Sequence, residues 1–189
     1  MGKKLYFRFA AMNAGKSTAL LQVAHNYEER GMAPLLMTAA IDDRFGAGKI
    51  TSRLGVSRAA HCFDSSTDFE QVALGEAACL LIDEAQFVSA EQAAQLHRIA
   101  ALRGVPVICY GLRSDFTGEP FPGAAMLLAL ADDIEEIKTI CQCGSKATMN
   151  ARIAASGSRE TAGNPIEIGG NSRYTAMCAP CFYAHPTTE

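Results

Sequence analysis

Short, almost wholly apolar runs alternate along the chain with segments in which apolar residues recur at helical spacing. A run that is apolar throughout is typical of a parallel strand covered on both faces, and the three- and four-residue spacing predicts amphipathic helices between the strands. The predicted strands are 5–10, 33–39, 77–82 and 106–110, and the predicted helices are 18–30, 90–102 and 124–131. This alternation predicts an α/β fold with a largely parallel sheet that binds ligands at the carboxyl ends of its strands.

The segments between these elements carry weaker patterns. We expect a short strand within 59–63, and 64–75 is predicted to be a helix capped by one of its first serines. The charged, glycine-containing segment 41–50 is either a mobile loop at the ligand-binding edge or a solvated turn. The two phenylalanines in the Gly- and Pro-rich loop 112–123 either wall a pocket or pack beneath the loop.

The turn between the first strand and the first helix ends in Gly15-Lys16-Ser17. In such a turn, backbone N–H groups at a helix N-terminus can surround a phosphate, lysine can reach the β- and γ-phosphates, and serine can coordinate Mg2+. The motif G-x-x-x-x-G-K-[ST] has glycine where this chain has Ala10, and alanine adopts a positive φ less readily. The alternative interpretation is a chance Gly-Lys-Ser at the start of a surface helix.

An acidic pair, Asp83-Glu84, follows the apolar run that ends at Ile82. A buried strand ending in two carboxylates is typical of a Walker B segment, in which one carboxylate lies near Mg2+ and its neighbour faces the reacting group. An isolated pair could equally be the charged start of a helix, but the phosphate loop favours the first interpretation. The predicted nucleotide-binding residues are Ala10, Ala11, Met12, Asn13, Ala14, Gly15, Lys16, Ser17, Asp83, Glu84, Ala85 and Gln86.

Composition narrows the classes of protein. A chain of 189 residues suits one full domain with a small second unit, and a charged content of 20% beside 49% apolar residues indicates a soluble globular protein. The net charge of -3 and the lack of a Lys/Arg cluster argue against a nucleic-acid partner. The first apolar run is too short for a signal peptide or a membrane span, so we expect a cytoplasmic protein without a membrane partner.

Four of the seven cysteines form two close pairs in the pattern CxC…CxxC. An odd number of cysteines in a chain that looks intracellular disfavours a disulfide framework, and four thiolates in two pairs suit a structural, tetrahedral Zn2+ site. The predicted zinc ligands are Cys141, Cys143, Cys178 and Cys181, against the alternative of unrelated buried thiols. Cys62, Cys79 and Cys109 are predicted to be ordinary buried residues. We therefore predict a nucleotide-binding domain over 1–138 and a zinc-held subdomain over 139–189.

Taken together, these motifs resemble the type II thymidine kinase family over nearly the whole chain. The segments that carry the resemblance are Ala10-Ala11-Met12-Asn13-Ala14-Gly15-Lys16-Ser17, Asp42-Asp43-Arg44-Phe45, Asp83-Glu84-Ala85-Gln86-Phe87, Gly111-Leu112-Arg113-Ser114-Asp115-Phe116, Cys141-Gln142-Cys143 and the stretch from Ile168 to Cys178. Alanine at the first glycine position resembles the enterobacterial branch of this family. The resemblance implies a P-loop, RecA-like parallel-sheet core with a small zinc-held lasso subdomain, assembled as a homotetramer.

The resemblance also implies transfer of the ATP γ-phosphoryl group to the 5′-hydroxyl of thymidine or deoxyuridine. Glu84 would then be the general base, Ser17 and Asp83 would organise Mg2+, and Arg44 would support the transferring charge. The residues it implies around the nucleoside are Met12, Leu112, Phe116, Phe121, Thr148, Pro165, Ile166, Glu167, Ile168, Gly169 and Tyr174. The cofactors would be ATP, Mg2+ and structural Zn2+.

Two other classes of protein remain open on the sequence. One is a RecA-like ATPase that uses a zinc ribbon to act on nucleic acid, which the negative net charge and the lack of basic clusters count against. The other is a regulatory module that binds nucleotide without turnover, which would require Glu84 to be idle.

Overall fold

The computed structural model describes residues 2–42, 46–165 and 173–188. Its strands in chain order are β1 (Leu5–Phe9), β2 (Pro34–Ala39), β3 (Lys49–Thr51), β4 (Ser57–Ala59), β5 (His61–Phe63), β6 (Cys79–Ile82), β7 (Val107–Gly111), β8 (Asp133–Glu136), β9 (Thr139–Ile140), β10 (Lys146–Ala147), β11 (Met149–Arg152) and β12 (Tyr174–Met177). The α-helices are α1 (Lys16–Glu28), α2 (Ala90–Arg98), α3 (Pro122–Leu130) and α4 (Ala179–Ala184), and a π-helical turn, Ile99–Arg103, continues α2.

A six-stranded sheet in the order β5-β2-β6-β7-β1-β8 forms the centre of the molecule. Every neighbouring pair in it is parallel, which confirms the predicted parallel α/β fold. Because all six strands run the same way, their carboxyl ends lie along one edge, and the loops after β1, β6 and β7 meet there.

Helices cover both faces of this sheet. Along β6, Leu80 and Ile82 pack into one apolar cluster with α2 and α3, whereas Cys79 and Leu81 pack into a second cluster with α1. All four side chains are fully buried, so β6 is apolar throughout rather than alternating. Burial of each large aliphatic side chain contributes about 1.5–3 kcal/mol, and these clusters hold the strand ends in place.

The predicted helix at 64–75 is wrong, because this segment folds as turns with a single 3-10 turn at Phe69–Gln71. The Asp64 carboxylate accepts hydrogen bonds from the Ser66 N–H and hydroxyl, and the Gln92 side chain donates to the Asp64 and Thr67 carbonyls. These contacts take up polar groups that a helix would have paired along its axis. Phe69 is fully buried by this arrangement, and its ring centroid lies 5.5 Å from that of Phe63.

The chain leaves the central sheet between β8 and β9 and forms a smaller unit, here called the cysteine lobe (β9 to α4). Antiparallel pairs β9–β10 and β11–β12 build it around its own apolar cluster, which includes Ala151, Met177 and Phe182. The predicted domain division at residues 138 and 139 falls at this point and stays a prediction. None of the helices within 2–42, 46–165 and 173–188 has the length and apolar character that crossing a bilayer requires.

Candidate active site

The loop after β1 has the backbone of a phosphate-binding turn. Asn13 (φ 65°) and Gly15 (φ 83°) are left-handed, and α1 begins immediately afterwards at Lys16. Among the described non-glycine residues, positive φ occurs at Asn13 and Glu84, so Ala10 does not need the freedom of the glycine it replaces. The Ala10 N–H instead donates to the Gly111 carbonyl at 3.2 Å, which ties the start of the loop to β7.

Ser17 and Asp83 form a pair of oxygen donors at the strand ends. The Ser17 hydroxyl donates to Asp83 Oδ2 at 2.9 Å, and the Asp83 N–H donates to the Met37 carbonyl at 2.9 Å. Burial, and then the neighbouring charge of Glu84, raise the pKa of Asp83 to about 7. Its second carboxylate oxygen, Oδ1, is buried and has no hydrogen-bond partner within the described part of the chain. A hydroxyl beside an unsatisfied carboxylate oxygen is a donor set that suits a hard cation such as Mg2+.

Glu84 is held by Gln86. Gln86 Nε2 donates to Glu84 Oε2 at 2.6 Å, while Gln86 Oε1 accepts the Leu112 N–H at 3.0 Å. A Cβ at Gly111 would lie 2.9 Å from both Gln86 N and Oε1, so glycine is needed there for this close approach. Glu84 itself has a left-handed backbone (φ 53°, ψ 39°), a conformation that is uncommon for glutamate and concentrates at functional sites. The Glu84 carboxylate is therefore fixed at the edge of the sheet.

The phosphate loop, Glu84 and Gln86 line one cavity of about 720 Å3. Its lining combines the phosphate loop and Glu84 with apolar and aromatic side chains from the loop after β7 and from the cysteine lobe. The lining residues are Met12, Asn13, Ala14, Gly15, Lys16, Ser17, Thr18, Ala19, Gln22, Asp42, Thr51, Ser52, Arg53, Leu54, Glu84, Gln86, Phe87, Leu112, Asp115, Phe116, Phe121, Asn150, Pro165 and Tyr174. A cavity with a polar, phosphate-binding part and an aromatic part can accommodate two ligands at once.

Most of the predicted site residues meet at this cavity. The nucleotide-binding set contributes Met12 to Ser17, Glu84 and Gln86, whereas Ala10, Ala11, Asp83 and Ala85 are buried and are absent from its lining. From the set predicted around the nucleoside, the cavity includes Met12, Leu112, Phe116, Phe121, Pro165 and Tyr174. Arg44, Ile166, Glu167, Ile168 and Gly169 lie outside the described residues.

Thr148 does not line the cavity, and Asn150 does. The Thr148 carbonyl accepts from Arg113 at 3.2 Å, and its N–H donates to the Met177 carbonyl. Asn150 is 3% exposed, accepts the Met12 N–H at 2.7 Å and donates to the Ser114 carbonyl at 3.1 Å. Sequence reasoning missed this residue, and the available signal was a polar side chain between apolar residues of one strand.

The hairpin β3–β4 is a second feature that the sequence did not predict as part of the site. Thr51, Ser52, Arg53 and Leu54 line the cavity, together with Asp42 at the end of the preceding described segment. For segment 41–50 the sequence leaves open a ligand-binding loop or a solvated turn, and among its described residues Asp42 lines the cavity.

The four predicted cysteines converge in the cysteine lobe. Their Sγ atoms all lie within 4.8 Å of one another, and those of Cys143 and Cys178 are 3.6 Å apart. A tetrahedron of thiolates with Zn–S bonds of about 2.3 Å places sulfur atoms about 3.8 Å apart, so the cluster fits Zn2+. Hydrogen bonds from the Ser145 side chain and backbone lower the pKa of Cys143 to about 6, which favours the thiolate. Cys79 and Cys109 are buried as predicted, but Cys62 is exposed on the edge strand β5, so that prediction is wrong.

A phosphate loop, an acidic pair at a neighbouring strand end and a lobe with four clustered cysteines define the class of P-loop nucleotide-binding proteins, here with a cysteine cluster that could hold a metal ion. The thymidine kinase family model matches residues 3–182, so the chain belongs to the thymidine kinase family.

Individual relatives agree with this family. The chain is 58% identical over 180 residues to the thymidine kinase of Chromobacterium violaceum, with 95% of this chain and 98% of that protein covered. It is 59% identical over 187 residues to the thymidine kinase of Albidiferax ferrireducens, with 98% of this chain and 95% of that protein covered. For the thymidine kinase of Novosphingobium aromaticivorans the identity is 53% over 184 residues, with 95% and 96% covered.

Proposed function

We propose that the protein transfers the γ-phosphoryl group of ATP to the 5′-hydroxyl of thymidine, and of deoxyuridine, to give the 5′-monophosphate for DNA synthesis. The observation that carries this proposal is the shared cavity. It is lined by the phosphate loop, by Glu84, whose carboxylate binds Gln86, and by the aromatic side chains of Phe116, Phe121 and Tyr174. Family membership supports the same activity.

The donor nucleotide would lie on the phosphate loop. The N–H groups at the start of α1 and the Lys16 ammonium would bind the phosphates, since a helix N-terminus favours negative charge. Ser17 and Asp83 would hold Mg2+, whose charge would offset the charge that develops on the phosphate oxygens. The Met12 N–H is already bonded to Asn150, so it positions the loop rather than a phosphate.

The acceptor nucleoside would lie against the apolar part of the lining. Phe116, Phe121 and Tyr174 offer aromatic surface for a pyrimidine, and Leu112 and Met12 offer aliphatic surface. Phe121 is itself braced by Phe87, with ring centroids 6.2 Å apart in an edge-to-face arrangement. Few polar side chains line this part, so backbone groups would read the pyrimidine edge.

Glu84 would act as the general base. Its carboxylate would accept the proton of the 5′-hydroxyl as the oxygen forms a bond to the γ-phosphorus, while the bond from that phosphorus to the β-γ bridging oxygen breaks and ADP leaves. Catalysis of this kind depends on positioning and electrostatics, and the Gln86 hydrogen bond supplies positioning for the carboxylate.

Assembly and location belong to the same proposal. We infer a cytoplasmic homotetramer with a Zn2+ ion in the cysteine lobe. Exposed large apolar side chains such as Leu102, Ile134 and Ile140 support self-association, since exposed apolar surface often marks an interface between chains.

A panel of nucleosides with ATP and Mg2+ tests the proposal. Thymidine, deoxyuridine, deoxycytidine, deoxyadenosine and deoxyguanosine are incubated separately with enzyme, and the monophosphates are measured by mass spectrometry. We expect phosphorylation of thymidine and deoxyuridine and little of the other three. DNA-stimulated ATP hydrolysis without any nucleoside monophosphate would instead establish the zinc-ribbon ATPase, which the family and the net charge do not favour.

A further inference from the structure

Arg152 is a buried arginine that is not among the residues lining the cavity. It ends β11 in the cysteine lobe and is 4% exposed. A guanidinium is rarely buried unless its charge and its donors are satisfied, so its partners indicate what it holds in place.

One set of Arg152 partners lies in the segment 160–164, which directly precedes the cavity residue Pro165. Arg152 forms an ion pair with the Glu160 carboxylate, donates to the Asn164 carbonyl at 2.8 Å and reaches the Ala162 carbonyl at 3.4 Å. The Glu160 N–H donates back to the Arg152 carbonyl at 2.8 Å, and Arg173 pairs with the same carboxylate. Arg152 thus ties residues 160–164 to β11.

The other neighbours of Arg152 are two aromatic residues of the cavity lining. The guanidinium carbon lies 3.7 Å from the centroid of the Phe116 ring, and Tyr174 lies directly opposite Arg152 in the β11–β12 strand pair. Both Phe116 and Tyr174 line the cavity. The planar guanidinium of Arg152 therefore stacks on the Phe116 ring and lies beside Tyr174 on the neighbouring strand. The ammonium of a lysine cannot form this stack.

Gly163 shows how closely the backbone fits around this guanidinium. Its φ of 132° is one that residues with a Cβ rarely adopt, and a Cβ there would lie 2.4 Å from Arg152 Nη2. Any side chain at this position would displace the guanidinium or the backbone that it binds. Gly163 therefore offers a way to disturb the contact without changing the arginine.

We propose that Arg152 is a positioning residue for the acceptor nucleoside. It fixes the Phe116 ring, the Tyr174 side chain and the chain before Pro165 in one arrangement, and so sets the affinity of the enzyme for thymidine without touching it. This inference rests on the proposed thymidine kinase activity.

Steady-state kinetics of Arg152→Lys, Arg152→Met and Gly163→Ala test the inference, with each substrate varied in turn. We expect the KM for thymidine to rise about tenfold or more in Arg152→Met and Gly163→Ala, and less in Arg152→Lys, which keeps the charge beside Glu160 but loses the planar stack. The KM for ATP is expected to stay within about twofold, because the phosphate loop lies between β1 and α1, whereas Arg152 lies on β11 of the cysteine lobe. Arg98→Met is the matched control, since Arg98 is a partly exposed, ion-paired arginine on α2, and both KM values are expected to stay unchanged.

The outcomes separate the two claims. Wild-type protein that phosphorylates thymidine, together with variants whose thymidine and ATP KM values change equally or not at all, would overturn the role of Arg152 alone. Wild-type protein without thymidine kinase activity would overturn the proposed function and this inference with it. If Arg152→Met does not fold, Arg152→Lys and Gly163→Ala decide, because both keep a cation beside Glu160.

Discussion

The two carboxylate oxygens of Asp83 have different surroundings. One of its carboxylate oxygens binds the Ser17 hydroxyl, and the other is buried without a partner among the described residues. A buried polar atom without a partner is costly, by about 1–3 kcal/mol, and is rarely retained unless a ligand uses it. The unpartnered oxygen of Asp83 therefore supports the proposal that Ser17 and Asp83 hold Mg2+.

The raised pKa of Asp83 predicts an unusual pH dependence of stability. Burial raises this pKa to about 7 in the folded protein, whereas an unfolded chain has a value near 4. Between these values the folded state binds more protons, so the free energy of unfolding falls as the pH rises. In Mg2+-free buffer, we expect the Tm of wild type minus that of Asp83→Asn to fall by about 4 °C or more from pH 5 to pH 8, measured by scanning calorimetry.

Comparison with Asp83→Asn removes the pH dependence that the two proteins share, including that of the cysteine lobe. A difference in Tm that stays level or grows with pH would contradict the assignment. At pH 8, Mg2+ with ATP is expected to stabilise the wild type more than Asp83→Asn, because binding to the folded state raises Tm.

At the residue scale, the sequence predicts what is local and misses what depends on packing between distant segments. The phosphate loop and Asp83-Glu84 are recognisable because each function needs consecutive residues at the end of a strand. Asn150 is different, since its partners Met12 and Ser114 are far away in the sequence. Arg152 was missed for the same reason, because only the folded lobe brings it against Phe116.

At the element scale, the apolar runs predicted the central strands within one or two residues, because a buried parallel strand excludes polar residues on both faces. The strand β8, with the sequence Asp133-Ile134-Glu135-Glu136, was not predicted. It lies at the sheet edge, where one side is solvated and acidic residues are tolerated; Arg8 pairs with Asp133 and Glu135. The helix expected at 64–75 failed because Gln92, on a different element, binds the carbonyls of that segment.

The cysteine lobe is the element whose stability depends most on a metal. Its strands are two to four residues long and its apolar cluster is small, so tetrahedral Zn2+ would supply much of the free energy that folds it. We expect purified protein to contain about one zinc per chain by mass spectrometry, and Cys143→Ser to lose most of it. The KM for thymidine is expected to rise in this variant, because Asn150, Pro165 and Tyr174 belong to the lobe.

Cys62→Ser is the matched control for the zinc experiment, since Cys62 is an exposed thiol outside the cluster. It is expected to retain zinc and normal kinetics. Wild-type protein with less than about half an equivalent of zinc after careful purification would argue against a four-thiolate site.

At the scale of the whole molecule, the parallel sheet explains why residues so far apart in sequence share one cavity. The carboxyl ends of β1, β6 and β7 are adjacent, since β7 pairs with both of the others. They bring the phosphate loop, the acidic pair and the loop after β7 to one edge of the sheet. The cysteine lobe adds Asn150 and Tyr174 to the cavity lining at that edge. The sheet could be predicted from periodicity, but the docking of the lobe onto it could not, because it depends on single buried polar contacts.

In the proposed mechanism, Glu84 is the base of a phosphoryl transfer between two substrates bound in this cavity. The most direct measurement is the kcat of Glu84→Gln with thymidine and ATP, beside the Kd for ATP from titration and with the exposed Glu76→Gln as control. Glutamine keeps the size of the side chain and an oxygen for Gln86 but cannot accept the proton, so we expect kcat to fall about 100-fold or more while ATP binding is kept. Turnover by Glu84→Gln close to that of the wild type would contradict the claim.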